Sequence, residues 1–316
     1  MLCDFSQVLS EVSDRQLVGG EARRLFHGRG HCFRGFEDLV IDAYPPLLLI
    51  QLYAFWPEPK VQQLVTALLE QISCDVRTVA IQRRFEREGP VEFYCGTPSE
   101  FALAREQGLL FKLEITRGRN TGFFPDMAAG RRVVRTVGRD KKVLNLFAYS
   151  CGFSVAALAG GARQVVNVDM SRSALELGRE NHRLNGFDDR RSTFLALEIF
   201  RSFSRLRKLG PFDLVICDPP ATQGKSFTAL SHWPKLLRRL PELLSAGGEF
   251  ILCQNGPGIP ERWLDEQVTQ LLPAAERLGL HETGPDFPEL DPACRTLIRH
   301  YAWPGLFQPR LSDAQV

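Results

Sequence analysis

The second half of the chain alternates short apolar runs with amphipathic stretches. The apolar runs predict strands at 143–147, 165–168, 193–197, 212–217 and 250–253. The amphipathic stretches predict helices at 153–159, 173–185, 199–208, 228–245 and 260–279. Strands that alternate with helices favour a parallel sheet covered on both faces. The alternation in residues 295–303 predicts a further strand at the end of this sheet.

The first 115 residues have a less regular pattern. They contain strand-like pieces at 39–43, 47–55, 76–82, 91–94 and 109–115, and one helical pattern from Pro59 to Ile72. We therefore expect a small α+β domain at 1–115, a basic connecting segment at 116–142, an α/β domain at 143–303 and a tail at 304–316.

The composition is that of an ordinary globular protein. The 316 residues are 44% hydrophobic and 24% charged, and such a length suggests about two domains. No apolar run approaches the ~18–20 residues of a membrane span, and the N-terminus has no apolar core of signal-peptide length. The eight cysteines form no Cys-x-x-Cys pair and have no histidine at zinc spacing. We expect a cytoplasmic protein with reduced thiols and no metal.

Positive charge is concentrated ahead of the regular half. Residues 116–142 contain eight basic and two acidic side chains, although the net charge of the whole chain is only +2. A charge run is most often a solvated face, whereas basic clusters that converge on one cleft bind a polyanion. The sequence does not show whether these clusters converge, but a basic, flexible lead-in would suit phosphate contacts.

Candidate chemistry follows the predicted strands, because ligands of open α/β sheets bind beyond the carboxyl ends of the strands. The turn after the first strand, Asn145–Gly152, contains one glycine and matches neither the dinucleotide fingerprint nor a Walker loop. Its backbone donors could still cradle a small ligand. The alternative is an ordinary turn from strand to helix.

Acidic residues follow the second and third strands. Asp169 suits the two hydroxyls of a ribose; it could instead cap the next helix, but Ser171 already offers that cap and leaves Asp169 free for a ligand. Glu198 suits an adenine amino group, with Ile199 against the ring. This second signal is weak alone, because glutamate is common in a first helical turn.

The sharpest signal is Asp218-Pro219-Pro220, directly after the fourth strand. Two prolines forbid helix and hold the preceding carboxylate rigidly at the mouth of the sheet. Such a rigid acceptor can grip an amine or a ring N–H of a flat base, whereas the alternative is a plain proline turn. Asn255, after the fifth strand, can line the same mouth.

Four motifs together resemble class I S-adenosylmethionine (SAM)-dependent methyltransferases. They are Asn-Leu-Phe-x-Tyr at 145–149, Val-Asp-Met-Ser-Arg at 168–172, Asp-Pro-Pro at 218–220 and Asn-Thr-Gly-Phe-Phe-Pro-Asp at 120–126. The chain more closely resembles the bacterial large-subunit rRNA methyltransferases I and K, over about residues 20–303. The resemblance implies a Rossmann-like sheet, mostly parallel with an antiparallel last strand, behind a small N-terminal α+β domain. No counterpart of the amino-terminal PUA domain of the I-type members is expected.

The resemblance also implies the site residues and the partner. The SAM pocket would contain Asn145, Phe147, Tyr149, Gly152, Asp169, Met170, Glu198, Ile199 and Asp218. The catalytic corner would contain Asp218, Pro219, Pro220 and Asn255, and Asp126 and Arg131 would contact the substrate. The implied partner is rRNA, with no membrane and no metal; the oligomeric state stays open, with a homodimer as one option.

The fifth strand bears on the reaction type. Within the family, C5-cytosine methylation uses a cysteine thiolate after this strand, but here that position aligns with Asn255, and Cys253 falls two residues earlier, inside the strand. Asn255 matches the K-type pattern, whose members methylate guanine N7, a lone pair that needs no covalent nucleophile. We therefore favour a guanine ring nitrogen of 23S rRNA. C5-cytosine methylation, a non-RNA substrate, and a binding protein without catalysis remain alternatives.

Three departures from the family concern mainly the base site. Ala221-Thr222 stand where the family has an aromatic residue, which would be expected to stack on the target base. After Asp126 the first family arginine is lost, although Arg131 keeps the second, and Ser150-Cys151-Gly152 replaces Thr-Gly-Gly. The cofactor site is thus nearly intact, and the base site is altered.

Overall fold

The computed structural model describes residues 4–15, 17–72, 76–220, 222–223, 227–255 and 259–305. The strands are β1 (Arg23–His27), β2 (Leu39–Tyr44), β3 (Leu47–Leu52), β4 (Thr78–Arg83), β5 (Val91–Cys95), β6 (Phe101–Glu106), β7 (Leu109–Glu114), β8 (Lys142–Leu146), β9 (Gln164–Asp169), β10 (Ser192–Ala196), β11 (Phe212–Cys217), β12 (Thr222–Gln223), β13 (Phe227–Thr228), β14 (Leu244–Gln254), β15 (Glu276–Glu282) and β16 (Leu297–Trp303). The helices are α1 (Ser6–Asp14), α2 (Glu58–Gln71), α3 (Ala128–Val137), α4 (Gly152–Ala159), α5 (Arg172–Leu184), α6 (Phe203–Leu209), α7 (Ala229–Arg239) and α8 (Trp263–Leu271). Most of the predicted tail, 306–316, lies outside the described residues.

The N-terminal sheet has the order β1-β2-β3-β4-β5, in which only the β3–β4 pair is parallel. Its central strands β2 and β3 are buried along their whole length, because helices α1 and α2 cover one face and the β6–β7 hairpin packs on the other. The predicted strands and helix of this region are present. The sequence analysis missed α1, β1 and β6, although Phe5, Val8 and Val12 have the spacing of one helical face in and before α1.

The C-terminal sheet has the order β10-β9-β8-β11-β14-β16-β15. Strands β8 to β11 and β14 are parallel, and β16 is antiparallel to both of its neighbours. This confirms the predicted Rossmann-like α/β fold with an antiparallel last strand. The prediction that this strand lies at the end of the sheet is wrong, because β16 inserts between β14 and the edge strand β15.

Several predicted helix bounds differ from the structure. The helix predicted at 260–279 is wrong beyond Leu271, where α8 ends and the chain continues into β15. The helix predicted at 228–245 ends at Arg239, and β14 begins at Leu244. The helix predicted from residue 199 begins at Phe203. In each case one end of the amphipathic run belongs to a turn or to the next strand.

The segment 116–142 is not only a connector. Helix α3 lies within it and packs on the sheet beside α4, with Met127 and Val134 in the core. The expectation of a flexible basic lead-in is therefore wrong for residues 128–137. The basic side chains on this helix had suggested a solvated face, but one of them, Arg131, is buried.

Two sets of contacts hold the sheets together. The Asn185 side chain accepts a hydrogen bond from the Leu110 N–H at 2.9 Å and donates one to the Leu110 carbonyl at 2.7 Å. The loop after β15 returns to β1, where Asp286 pairs with Arg23 at 2.8 Å and Glu289 lies 3.1 Å from His27. Because these contacts join the two regions, the domain boundary near residue 115 remains a proposal.

Within the described ranges, no helix is long and apolar enough to cross a membrane.

Candidate active site

A cavity of about 550 Å³ opens at the carboxyl ends of β8, β9, β11 and β14, a volume within the usual range for small-molecule sites. Its wall contains nine of the predicted site residues: Asp126, Arg131, Phe147, Tyr149, Gly152, Asp169, Asp218, Pro220 and Asn255. Their side chains come from elements far apart in sequence. The parallel topology brings them together, as the rule for strand ends predicts.

The loop between β8 and α4 has an unusual backbone. Phe147, Tyr149 and Cys151 all have positive φ angles, of 58°, 46° and 62°, a conformation that costs a non-glycine residue about 1–2 kcal/mol. The loop is held in place by neighbours: the Asn181 amide donates to the Ser150 carbonyl at 3.0 Å. It ends in the first turn of α4, whose N–H groups have no intrahelical acceptor and which opens into the cavity at Gly152.

The motif at 120–126 forms the wall opposite this loop. The Ser150 hydroxyl donates a hydrogen bond to the Gly122 carbonyl. Gly122 has a φ of 95°, and a Cβ there would lie 2.6 Å from Leu177 Cδ2, so this close approach requires glycine. Phe124 is 43% exposed, and its ring centroid lies 5.6 Å from that of Tyr149.

Asp169 is fixed at the end of β9 by backbone donors. Its Oδ2 accepts from the Tyr149 N–H at 2.9 Å, and its Oδ1 accepts from the Ser171 N–H at 2.8 Å. Ser171 caps α5 by accepting from the Ala174 N–H at 3.2 Å, as predicted. Each carboxylate oxygen keeps a second lone pair, so Asp169 remains able to accept hydrogen bonds from a ligand in the cavity.

Asp218 stands in a different electrostatic setting. Asn255 Nδ2 donates to its Oδ1 at 3.1 Å. Burial raises the pKa of Asp218 to about 7, the negative charge of Asp126 adds to the shift, and the Arg131 guanidinium opposes it. Burial also raises the pKa of Asp126, against the opposing charges of Arg24 and Arg131. This end of the cavity therefore holds two carboxyl groups that favour a nearby positive charge.

Arg131 is buried rather than presented to solvent. Its Nε and Nη2 donate to the two carboxylate oxygens of Glu106, each at 2.6 Å, and Nη2 also donates to the Phe124 carbonyl at 3.0 Å. Its Nη1 lies 3.8 Å from where a Cβ on Gly152 would be. Arg131, which was predicted to contact the substrate, thus lines the cavity wall beside the start of α4.

Five predicted site residues do not line this cavity: Asn145, Met170, Glu198, Ile199 and Pro219. The Glu198 carboxylate accepts from the Phe200 N–H at 3.0 Å and from the Arg201 N–H at 2.8 Å, and so holds its own turn. Ile199 and Pro219 are buried, and Met170 is 46% exposed just beyond β9. A position at a strand end is therefore not sufficient for a side chain to reach the cavity.

Asn145 belongs to a buried polar chain beneath the loop. Its amide donates to Asn167 at 3.0 Å, Asn167 donates to Ser154 at 3.1 Å, and the Ser154 hydroxyl lies 2.9 Å from His182 Nε2. Burial lowers the pKa of His182 to about 4, so this chain is uncharged at neutral pH. Asn145 supports the site from inside the sheet.

The sequence analysis missed several cavity residues, among them Asn120, Phe124 and Ser150. The motif at 120–126 was recognised, but only Asp126 received a role. Nothing in the spacing shows that this motif faces the β8–α4 loop, because that contact is tertiary.

No cysteine lines the described part of the cavity wall. Cys253 is fully buried in β14, where it pairs with Ile298, and burial raises the pKa of its thiol well above the usual value. This agrees with the prediction that Cys253 lies inside the strand. A buried thiol with a raised pKa is a poor nucleophile.

Comparison with known proteins gives the cavity a chemical context. The family of S-adenosylmethionine-dependent methyltransferases matches residues 23–299. The chain belongs to this family. Ribosomal RNA large subunit methyltransferase I of Aeromonas salmonicida and that of Aeromonas hydrophila are each 30% identical to it, over 81% of this chain and 69% of their own lengths.

The fold of this methyltransferase is also similar to solved structures. A crystal structure described as a methyltransferase complexed with S-adenosylhomocysteine (SAH) has a TM-score of 0.82, at 22% identity. The match covers 96% of this chain and 82% of that one. The protein is thus a SAM-dependent methyltransferase, and SAM is its cofactor.

The chemistry of the cavity fits SAM, which carries a carboxylate, two positive groups, a ribose diol and an aromatic base. Asp126 and Asp218 contribute acidic groups to the wall, and Arg131 and the first turn of α4 contribute positive charge and N–H donors. Asp169 offers a fixed acceptor, and Phe147 and Tyr149 offer aromatic surface. Within the described residues, no group of three potential metal ligands accompanies them.

Proposed function

We propose that this methyltransferase transfers a methyl group to a base of large-subunit rRNA, at a ring nitrogen of guanine. The observation that carries the proposal is the corner after β11 and β14. There Asp218 and Asn255 face the cavity together, and the only cysteine of β14 is buried in the core. The curated relatives support the RNA substrate, since their names specify ribosomal RNA of the large subunit.

The chain's own residues would hold SAM in a defined orientation. Asp169 would accept hydrogen bonds from the ribose hydroxyls, and Arg131 with the first turn of α4 would face the carboxylate. Asp126 and Asp218 would lie near the positive groups, where their charges attract a cation. Met170, Glu198 and Ile199 remain our proposal for the adenine side, just beyond the cavity.

SAM supplies an electrophilic methyl group on a positively charged sulfur. Guanine N7 would take this methyl group with its lone pair while the methyl–sulfur bond breaks and SAH leaves. N7 has no proton to lose, so no general base and no covalent intermediate would be needed. The positive charge passes from sulfur to the purine ring, and Asp218 and Asp126 would stabilise it there. Asp218 and Asn255 would orient the base by accepting from and donating to its polar edge. The Pro219–Pro220 turn keeps that carboxylate in position.

C5-cytosine methylation, which the family resemblance also allows, is the second candidate. It would require a thiolate at the target base. Cys253 is fully buried, its pKa is raised, and the side chain at the aligned position is the amide of Asn255. These observations favour the ring nitrogen.

The test is a methyl-transfer assay with radiolabelled SAM and protein-free 23S rRNA, followed by digestion to nucleosides and chromatography. We expect label in 7-methylguanosine, and a loss of at least about 100-fold in Asp218→Ala, a typical effect of removing a charge-stabilising group. Label in 5-methylcytidine would overturn the guanine assignment. SAM binding without transfer to any RNA would instead support a non-RNA substrate or a protein that has lost catalysis.

A further inference from the structure

A second arrangement of chemical groups lies at the carboxyl ends of β3 and β4, the parallel pair of the N-terminal sheet. Tyr53 and Phe55 follow β3, and Arg84 and Phe85 follow β4. The Arg84 N–H donates to the Leu52 carbonyl at 2.7 Å and so joins the two loops. We call Tyr53, Phe55, Phe85, Arg29, Arg84 and Arg119 the aromatic–arginine surface.

The aromatic rings of this surface are unusually accessible. Phe55 is 74% exposed and Phe85 is 38% exposed, with ring centroids 6.3 Å apart and planes at 89°. The Tyr53 ring lies 4.6 Å from the guanidinium carbon of Arg29 and 5.4 Å from that of Arg84. Proteins commonly bind unpaired nucleotides with exposed aromatic rings, on which the bases stack, and with nearby guanidinium groups, which attract the phosphates.

The arginines of the surface have no acidic partner among the described residues, whereas neighbouring Arg83 pairs with Glu92 at 2.7 Å. Both terminal nitrogens of Arg84 lie 3.4 Å from Asn120 Oδ1, and its buried Nε has no hydrogen-bond partner in the described part of the chain. Glu86 and Glu88 of the same loop offset part of the charge. The stacking rings are therefore expected to contribute more to RNA binding than the net charge does.

The surface is continuous with the cavity of the active site. A polar recess of about 140 Å³ is lined by Tyr53 and Arg84 on one side and by Asn120 and Asp126 on the other. Asn120 and Asp126 also line the 550 Å³ cavity. A nucleotide strand on the surface would therefore run directly to the cavity mouth.

We infer that the aromatic–arginine surface binds an unpaired stretch of the substrate RNA beside the target nucleotide. This inference rests on the proposed RNA methyl transfer. A base inside a duplex could not reach the partly buried Asp218, so the target must leave its stack. A surface that stacks the neighbouring bases would stabilise this unstacked state.

The test measures fluorescence anisotropy of a labelled single-stranded RNA and of the same RNA closed into a duplex. The Phe55→Ala/Phe85→Ala double variant should bind the single strand about tenfold more weakly or worse, because each base–aromatic stack contributes that much. Its KM for rRNA should rise while kcat and the SAM affinity stay unchanged. Arg84→Gln should reduce the salt dependence of binding by about one phosphate contact.

The matched controls are Leu184→Ala and Arg190→Gln. The Leu184 side chain is 40% exposed, and Arg190 is exposed just before β10, an edge strand of the C-terminal sheet. Both should bind RNA as the wild type does. Unchanged single-strand affinity in the double variant would overturn the inference and leave the proposed function standing. An equal loss for single strand and duplex would also overturn it. A wild type that binds no RNA would overturn both.

Discussion

Asp169 and Asp218, at the ends of the two strands on either side of β8, differ in their hydrogen bonds and electrostatic surroundings. Asp169 has both oxygens held by backbone N–H groups and is only 7% exposed. Among the described residues Asp218 accepts one side-chain hydrogen bond, from Asn255, and burial together with the charge of Asp126 raises its pKa to about 7. The same residue type at equivalent positions is thus satisfied by the protein in one case and left underbonded in the other.

The difference separates two tasks within one cavity. A carboxylate that the backbone already holds is a fixed acceptor, ready for a ligand's hydroxyl groups without reorganisation. A carboxylate crowded by another acid is stabilised when a positive charge arrives. We therefore expect Asp169 to anchor SAM and Asp218 to respond to positive charge in SAM and in the methylated base.

The largest effect should come from Asp169→Asn. The new NH₂ group faces a backbone donor, so we expect a loss of about 1–3 kcal/mol of folding free energy at neutral pH. The ribose would lose charge-assisted hydrogen bonds, so the SAM affinity should fall at least about 100-fold. Calorimetric titration and thermal melts measure both quantities. Wild-type affinity in this variant would remove Asp169 from the cofactor site.

Asp218→Asn should have the opposite effect on stability. A carboxyl whose pKa rises from about 3.9 when unfolded to about 7 when folded destabilises the fold above pH 7. This penalty shrinks as the pH falls from about 7 towards 4. The variant should therefore melt a few degrees higher than the wild type at pH 8, since 1 kcal/mol shifts the Tm of a large domain by about 2–4 °C.

The control for this prediction is the pH dependence itself. The advantage of Asp218→Asn should disappear once the pH falls below about 4, where the wild-type carboxyl is protonated in both states. An Asp218→Asn protein that melts at a lower temperature than the wild type at pH 8 would show that Asp218, like Asp169, stabilises the fold when it is ionised.

The smallest effect should come from Cys253→Ala. The thiol lies in the core and away from the cavity, so we expect a stability loss of about 1 kcal/mol and nearly unchanged methyl transfer. Asn255→Ala, two residues further along, is the matched variant and should lower turnover. Complete loss of activity in Cys253→Ala would revive the C5-cytosine mechanism.

Much of this site could be predicted from the sequence because the topology of the sheet determines which residues lie together. Parallel strands end at one edge, so Asp169, Asp218 and Asn255 could be placed together before any contact was known. Ser171 as the cap of α5 and Cys253 inside β14 also followed from local pattern.

The remainder depends on contacts between distant segments. Arg131 was expected to contact the substrate because the family resemblance implied it, but Glu106, on the β6–β7 hairpin, pairs with it inside the protein. The pKa of Asp218 is raised by burial and also by the charge of Asp126, which lies in the segment before the C-terminal sheet. Strand β15 was interpreted as helix because an edge strand with exposed residues has no clear apolar alternation.

The most direct test of the account is calorimetric titration of SAM into the wild type and Asp218→Asn across pH 6 to 8. Protonation of Asp218 below about pH 7 removes a negative charge from the cavity. We therefore predict that wild-type affinity increases with pH, by at most about tenfold per unit, and that the Asp218→Asn profile is less steep, because only Asp126 of the two carboxyl groups is then left. A flat wild-type profile, or no SAM binding at all, would contradict the account.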